Sequence, residues 1–327
     1  MRLLIPLAIR LAYAAILVVA VIVLNFLLIR LAPGDPVETI AGAMGGMTEE
    51  LRAELVRAYG LDLSLPQQLL RYLARMLSGD LGYSYFFNLP VSGLILERVP
   101  QTVLLVVVAV AVSLLAGTAL GVLASRRPNG WFSQSLTVLS VVGYAAPVFW
   151  TGIMLIIVFA AWLPLFPVSG MDDIANAGNG WFAYALDVAH HLVLPVATLS
   201  IIYVAQYSNL ARASMLDVLG ADYIRTARAK GLSEGSVYFK HALKNAILPV
   251  VTVAGLQFGN LLAGAILVET VFNWPGLGRL AFESILRRDH PTILGILFCS
   301  ACMVIAANLL TDLVYRAIDP RIRTGSR

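Results

Sequence analysis

The sequence predicts an all-α fold, a polytopic membrane protein with six transmembrane helices, and three observations lead there. Hydrophobic residues make up 59% of the 327 and charged residues only 13%, against about 25% charge in soluble domains. The missing charges are absent from long blocks, so the solvent around those blocks is lipid. The remaining lysines and arginines collect between alternate blocks, the pattern of a chain oriented across a bilayer.

Six blocks are long enough to cross about 30 Å of hydrocarbon at ~1.5 Å per residue. They run roughly over 11–29, 102–124, 136–161, 192–210, 246–268 and 292–315. The first follows Arg2 and Arg10 and could pass for a secretory signal. It exceeds an h-region of about 7–15 residues, however, and Arg30-Leu31-Ala32-Pro33 is not a cleavage site, so a retained helix is expected. The second begins with a valine-rich run, where strand propensity yields to the need of a spanning segment to satisfy its own backbone.

The stretch 32–98 is too long for a simple connector. Thr48 is suited to cap a helix starting at Glu49-Glu50, with Leu51, Leu55 and Tyr59 on one face and Gly60 at its end. A second helix is expected from Pro66 to near Gly79, with Leu69, Leu70, Leu73 and Met76 as its apolar stripe. Together they predict a small helical outer domain after the first span.

Fourteen of the 23 basic residues fall on one side of the predicted spans, in the amino terminus, 125–135, 211–245 and the tail. Only Asp217, Asp222, Glu234, Asp312 and Asp319 oppose them there. Basic excess marks the cytoplasmic side, so both termini are expected inside a multi-pass chain in the plasma membrane. A sequence pI near 9.1 and a mean hydropathy of +0.82 fit this use of charge. The basic residues punctuate apolar blocks and form no nucleic-acid patch.

The most informative segment runs over 222–245. Asp222 can cap a short helix, Arg228 and Lys230 suit its carboxyl end, Gly231 supplies a left-handed stop, and Ser233 can cap a second short helix. So short a helix is marginal alone and needs packing. Tyr223, Ala227, Lys230 and Gly231 recur at helical spacing, and small residues such as Ala227 and Ala229 would let a groove on another protein approach the backbone. The residues also allow a plainer reading, a basic helical loop on the inner face with no partner.

Asp222-Tyr223-Ile224-Arg225-Thr226-Ala227-Arg228-Ala229-Lys230-Gly231-Leu232, followed by His241-Ala242-Leu243-Lys244-Asn245-Ala246-Ile247-Leu248-Pro249, resembles the coupling loop of ATP-binding-cassette (ABC) importer permeases. More closely, it resembles the dipeptide, oligopeptide and nickel branch of that family. Arg225-Thr226-Ala227 stands where the wider family has Glu-Ala-Ala, and Leu248-Pro249 lies farther from Gly231 than in sugar importers. Further stretches agree with that branch: Ala32-Pro33-Gly34-Asp35-Pro36, Gly79-Asp80-Leu81-Gly82, Glu269-Thr270-Val271-Phe272, Pro275-Gly276-Leu277-Gly278 and Asp319-Pro320-Arg321-Ile322-Arg323.

The resemblance implies a permease forming half of a translocation pathway with a second homologous permease subunit. It also implies two ABC ATPase subunits, which would hold ATP and Mg, and an extracytoplasmic substrate-binding protein. Asp222, Tyr223, Arg225, Thr226, Ala227, Ala229, Lys230, Gly231 and Leu232 would be the ATPase-coupling residues. The implied organisation is a cytoplasmic amino terminus with the first helix (1–31), an outer helical segment (32–98), a five-helix core (99–316) with the coupling loop at 212–245, and a cytoplasmic tail (317–327). Peptide is the expected substrate; nickel or another small solute in the same family, or an ATP-independent secondary transporter, are the alternatives.

Other constellations carry less. No phosphate-binding Gly-x4-Gly-Lys-Ser/Thr, Gly-x-Ser-x-Gly or His-Glu-x-x-His occurs, so no catalytic residue and no cofactor is expected in this chain. Cys299 and Cys302 fall inside the sixth block, two ligands where a structural zinc wants four, and read as packing. His190-His191 read as an interfacial helix start, and no metal site is expected. Polar groups within spans face a neighbour or a pathway. Asn25, Gln101, Asn308 and Asp312 suit interhelical bonds, and Gln206, Asn209, Gln257 and Asn260 are the candidates for lining a pathway. Pro147 and Pro249 are expected to kink or end helices.

Overall fold

The computed structural model describes residues 4–31, 46, 48–59, 62–173 and 180–318. Ala32 to Pro36, Gly60 and Asp319 to Arg323, and the side chains of Leu51, Leu55, Tyr59 and Asp312, lie outside the described residues. The chain divides into two compact units, Met1–Pro100 with Gly276–Ala306, and Gln101–Pro275 with Ala307–Arg327.

The first unit holds α1 (Leu4–Leu31), α2 (Glu49–Tyr59), α3 (Leu65–Leu77), a hairpin of β1 (Tyr83–Ser84) and β2 (Leu89–Pro90), the opening turns of α4 (Val91–Ser125), α12 (Leu277–Arg287) and the start of α13 (His290–Ile318). The helix α2 begins where Thr48 and the glutamates placed it, and the Arg52 N–H reaches the Thr48 carbonyl at 3.0 Å. The helix α3 ends as its sequence dictates. Gly79 takes the left-handed φ of +82°, its N–H donates to the Met76 carbonyl at 3.1 Å, and the Asp80 N–H donates to that of Arg75 at 3.0 Å. This paired closure satisfies carbonyls that a helix end would otherwise orphan.

The stripe on α3 differs from expectation at one position. Leu70 is 67% exposed, whereas Met76 and Gln68 are buried, the latter through a 2.7 Å bond from its amide to the Leu63 carbonyl. The face turned to α1 is rotated toward Tyr72, whose ring lies 6.0 Å from that of Phe26. A second core joins Val91, Leu94 and Ile95 to Leu277, Leu280, Ala281 and Ile296. Gly295 permits that approach: a Cβ there would sit 2.6 Å from Val91 Cγ1.

The second unit holds the rest of α4, α5 (Trp131–Ala145), α6 (Val148–Leu155) with a π-helical continuation over Ile156–Trp162, α7 (Trp181–Leu219), α8 (Asp222–Ala229), α9 (Glu234–Ser236) with a π-helical turn over Val237–Ala242, α10 (Leu243–Leu256) and α11 (Phe258–Val271). The helix α7 is its spine, packing against α5, α6, α10 and α11.

Among the described residues, four helices are long and apolar enough to span unbroken: Ile9–Leu28, Val91–Ser125, Trp181–Leu219 and His290–Thr311. The predicted blocks 136–161 and 246–268 are not single rods. The former is bent by 108° between α5 and α6, the latter by 58° between α10 and α11, so six spans result when each bent pair counts as one. The first break is Pro147 acting as expected, because a proline pushes the residue before it out of the helical region, and Ala146 sits at φ −76°, ψ 130°. Pro249, by contrast, lies inside α10, and that break falls at Gln257 instead.

Candidate functional site

The segment 222–245 folds as a corner. Ala221, in extended conformation, precedes the first helical residue, so Asp222 is not the cap but sits in the first turn. There its carboxylate suits the positive end of the helix dipole. At the other end Gly231 adopts φ +76°, its N–H meets the Arg228 carbonyl at 2.9 Å, and the Leu232 N–H meets that of Ala227 at 3.4 Å. This is the same left-handed closure used at Gly79. Ser233 then caps as expected, its hydroxyl accepting from the Ser236 N–H at 3.4 Å. The second helix of the corner is not a separate short piece: it runs through the π-helical turn into α10.

Packing divides the nine predicted coupling residues. Ile224 and Ala227 face inward with Val122, Met215, Val237, Ala242 and Ala246. Ala227, 7% exposed, is small because its own chain is close, which corrects its placement on a surface open to a foreign groove. Asp222, Tyr223, Arg225, Thr226, Ala229, Lys230, Gly231 and Leu232 are all exposed. Tyr223 is held by a 2.8 Å bond from the Asn245 amide to its hydroxyl. Arg225 is 78% exposed beside Asp222 at 3.6 Å, too open and long for a firm pair. Arg126 lies over the rings of Tyr238 and Phe239 at 5.7 and 5.4 Å, bracing the corner from the end of α4. An inner apolar face thus anchors a short helix whose outer face carries unburied basic and apolar groups.

Three of the four pathway candidates come together at the break between α10 and α11. The Asn260 amide donates to Gln257 Oε1 at 2.6 Å, and the Gln257 amide donates to Gln206 Oε1 at 3.4 Å. Asn209 is exposed and takes no part in this ladder. Among the polar span residues, Asn25 is buried and bonds the Leu294 carbonyl at 3.2 Å, the interhelical role expected of it.

One polar node escaped the sequence reading. Glu269, fully buried, accepts from the Thr102 hydroxyl at 2.6 Å. Its carbonyl receives the Trp274 N–H at 2.8 Å, and the Trp274 indole N–H reaches the Gln101 carbonyl at 3.0 Å. A glutamate ending an apolar run was the available signal. His190 bonds the Leu165 carbonyl at 2.9 Å and His191 that of Asp187 at 3.0 Å. Among the described residues no three metal-ligating side chains gather.

A family model for the binding-protein-dependent transport system inner membrane component matches residues 117–324, a stretch that holds the corner and the Gln257 ladder. The chain belongs to this family. As an inner membrane component it is 42% identical, over 91% of its length and 92% of the relative's, to the probable peptide ABC transporter permease protein y4tP of Sinorhizobium fredii. It is 41% identical, over 93% and 94%, to the dipeptide transport system permease protein DppB of Escherichia coli. With the oligopeptide transport system permease protein AppB of Bacillus subtilis it shares 38%, over 94% and 95%.

Two solved structures share the inner membrane component's fold at a TM-score of 0.51. One is the inward-facing MetNI methionine ABC transporter, 15% identical over 69% of this chain and 96% of that one. The other is an amino acid ABC transporter with histidines, 16% identical over 69% and 94%. The inner membrane component is therefore an ABC-transporter permease, a multi-pass transport subunit whose fold is the all-α one its hydropathy predicts.

Proposed function

We propose that this permease imports short peptides, pairing with a second homologous permease to form the pathway and coupling to two separate ATPase subunits through the corner at 222–232. The observation that carries the reading is the divided helix α8. Ile224 and Ala227 fix it to its own unit while Arg225, Ala229, Lys230 and Leu232 stay open to a partner. Peptide is favoured because the relatives at about 40% identity carry peptide, dipeptide and oligopeptide in their names.

In this reading both termini and the corner lie in the cytoplasm and the segment 32–98 faces outward, where a soluble binding protein delivers substrate. The five-helix core 99–316 forms the passage, and the tail 317–327 stays inside. ATP and Mg belong to the motor subunits, and this chain supplies no catalytic group. Closure of the motors pushes α8, and the stroke passes through Met215 and Val122 into α7 and α4. The Asn260–Gln257–Gln206 ladder, at a bent span, is the place where polar groups meet the passage.

Charge reversal at Arg225 and Lys230 together tests the coupling role in the assembled transporter. Peptide uptake should fall while motor ATPase activity persists without peptide stimulation. Uptake at the unmutated rate, or cross-linking that places 222–232 outside the cell, removes the assignment.

A further inference from the structure

The first unit carries a cleft of about 590 Å³ that the coupling reading leaves unused. Arg71 and Arg75 of α3, Asp80 of the following turn, and Tyr83, Tyr85 and Pro90 of the hairpin line it. That volume lies within the few-hundred to thousand Å³ of small-ligand sites.

Its charges are arranged unequally. Arg75 Nε holds Asp80 Oδ2 at 2.8 Å and the Gly82 N–H holds Oδ1 at 3.0 Å, so the carboxylate is fixed in place with half of its side chain, 52%, still open. Arg71 is exposed and makes no ion pair among the described residues. Two aromatic rings of the same lining are held by contacts of their own. Tyr83 donates to Asn88 Oδ1 at 2.7 Å, and the Tyr83 and Tyr85 rings meet edge to face at 5.3 Å. The cleft thus presents a free guanidinium, an immobilised carboxylate and an apolar aromatic wall.

We infer that this cleft is a binding subsite for a short zwitterionic peptide, the terminal carboxylate on Arg71, the ammonium on Asp80 and a side chain against Tyr83 and Tyr85. A guanidinium offers paired donors to a carboxylate. Asp80 keeps unshared acceptor capacity after its two present bonds. With Asp80 already paired to Arg75, Arg71 carries the unpaired charge of the lining, so the ligand's carboxylate is the end the cleft selects, while the open half of Asp80 offers acceptor sites to an ammonium. The inference rests on the peptide-import reading and adds a place where peptide is held before it enters a passage.

The test uses the full-length chain in lipid nanodiscs, titrated calorimetrically with dialanine, dialanine amide and N-acetyl-dialanine. Dialanine should bind roughly tenfold or more tightly than either blocked form, the scale of one charge-assisted bond. Arg71→Ala should bring dialanine down to the level of its amide while leaving the amide unchanged, and Arg71→Lys should recover part of the loss. Equal binding of free and amidated peptide, a preference surviving in Arg71→Ala, or no measurable binding would each overturn the subsite. Peptide uptake by the unmutated, fully assembled transporter is a separate readout. Its absence sinks the peptide reading itself, whereas uptake without the expected titration sinks the cleft alone.

Discussion

Arg228 and Glu234 clasp each other across the corner at Gly231, with Nε to Oε1 at 3.0 Å and Nη2 to Oε2 at 3.4 Å. Both side chains are substantially exposed, and pairs of that kind are worth about 0–1 kcal/mol. The shape of the corner therefore comes chiefly from Gly231, whose φ of +76° side chains rarely adopt. A Cβ there would meet no atom within 4 Å, so backbone strain is the whole penalty. Gly231→Val should cost on the order of 1–3 kcal/mol and lower uptake. Gly231→Asn should cost much less, since asparagine tolerates this region, and Glu234→Ala should be nearly silent in thermal unfolding. Equal effects of Val and Asn would show that the conformation is not what matters.

The pair Gly117 and Gly121 on α4 makes a different use of a missing side chain. A Cβ on Gly121 would run into the Ser208 carbonyl and lie 2.9 Å from the Arg212 nitrogen, both backbone atoms of α7. A backbone cannot swing aside as a flexible side chain can, so Gly121→Ala should destabilise by roughly 1–3 kcal/mol. Gly93→Ala meets nothing within 4 Å in the same helix and should stabilise by up to about 1 kcal/mol through propensity alone. Melting curves of the purified protein that shift in the same direction for both would refute the close contact.

How far the sequence revealed this molecule depends on how local each cause is. Gly79, Gly231 and Ser233 could be read directly, because turn and cap chemistry is decided within a few residues. Pro147 was readable for the same reason, whereas the break at Gln257 carries no proline and falls between Gly255 and Gly259, a weaker signal. Ala227 was assigned to the surface since a small residue looks alike whether it serves a foreign groove or its own core; only Ile224, Met215 and Val237 around it decide. Glu269 stands out only as part of a motif, and its bond to Thr102 is not legible because the two lie 167 residues apart. The spacing of Gly117 and Gly121, four apart, is a known signature of close helix contact, but it says nothing of which helix comes near.

Thr102 and Glu269 give a third prediction. Thr102→Val keeps the shape and removes the hydroxyl that donates at 2.6 Å to a fully buried carboxylate. Weakening the satisfaction of a buried acceptor costs about 1–3 kcal/mol, which in a domain of this size lowers the melting temperature by roughly 2–4 °C per kcal/mol. Thr102→Ser should recover most of that. If Val and Ser variants melt alike, the hydroxyl contributes nothing.

The Asp80 turn gives a prediction in pH. The hydrogen bond from Arg75 is the largest influence on the Asp80 carboxyl; together with the Gly82 N–H and the nearby guanidinium charge it outweighs partial burial and holds the carboxyl below the usual aspartate range. A group depressed in the folded state contributes stability that is fully present above its unfolded pKa, about 3.9, and is lost as pH falls through the folded value. Local stability of the turn should thus be flat from neutral pH down to the ordinary aspartate range and fall only below it. The half-open side chain keeps the effect small, because solvent screens the pair. Amide hydrogen exchange at Gly82, whose N–H donates to Oδ1 at 3.0 Å, reads this directly once intrinsic exchange is divided out. Protection should decline on acidification in the unmutated protein. In Asp80→Asn, where no charge remains to titrate, it should be lower throughout and independent of pH. A decline of the same size in the Asn variant would mean that some other group governs the turn.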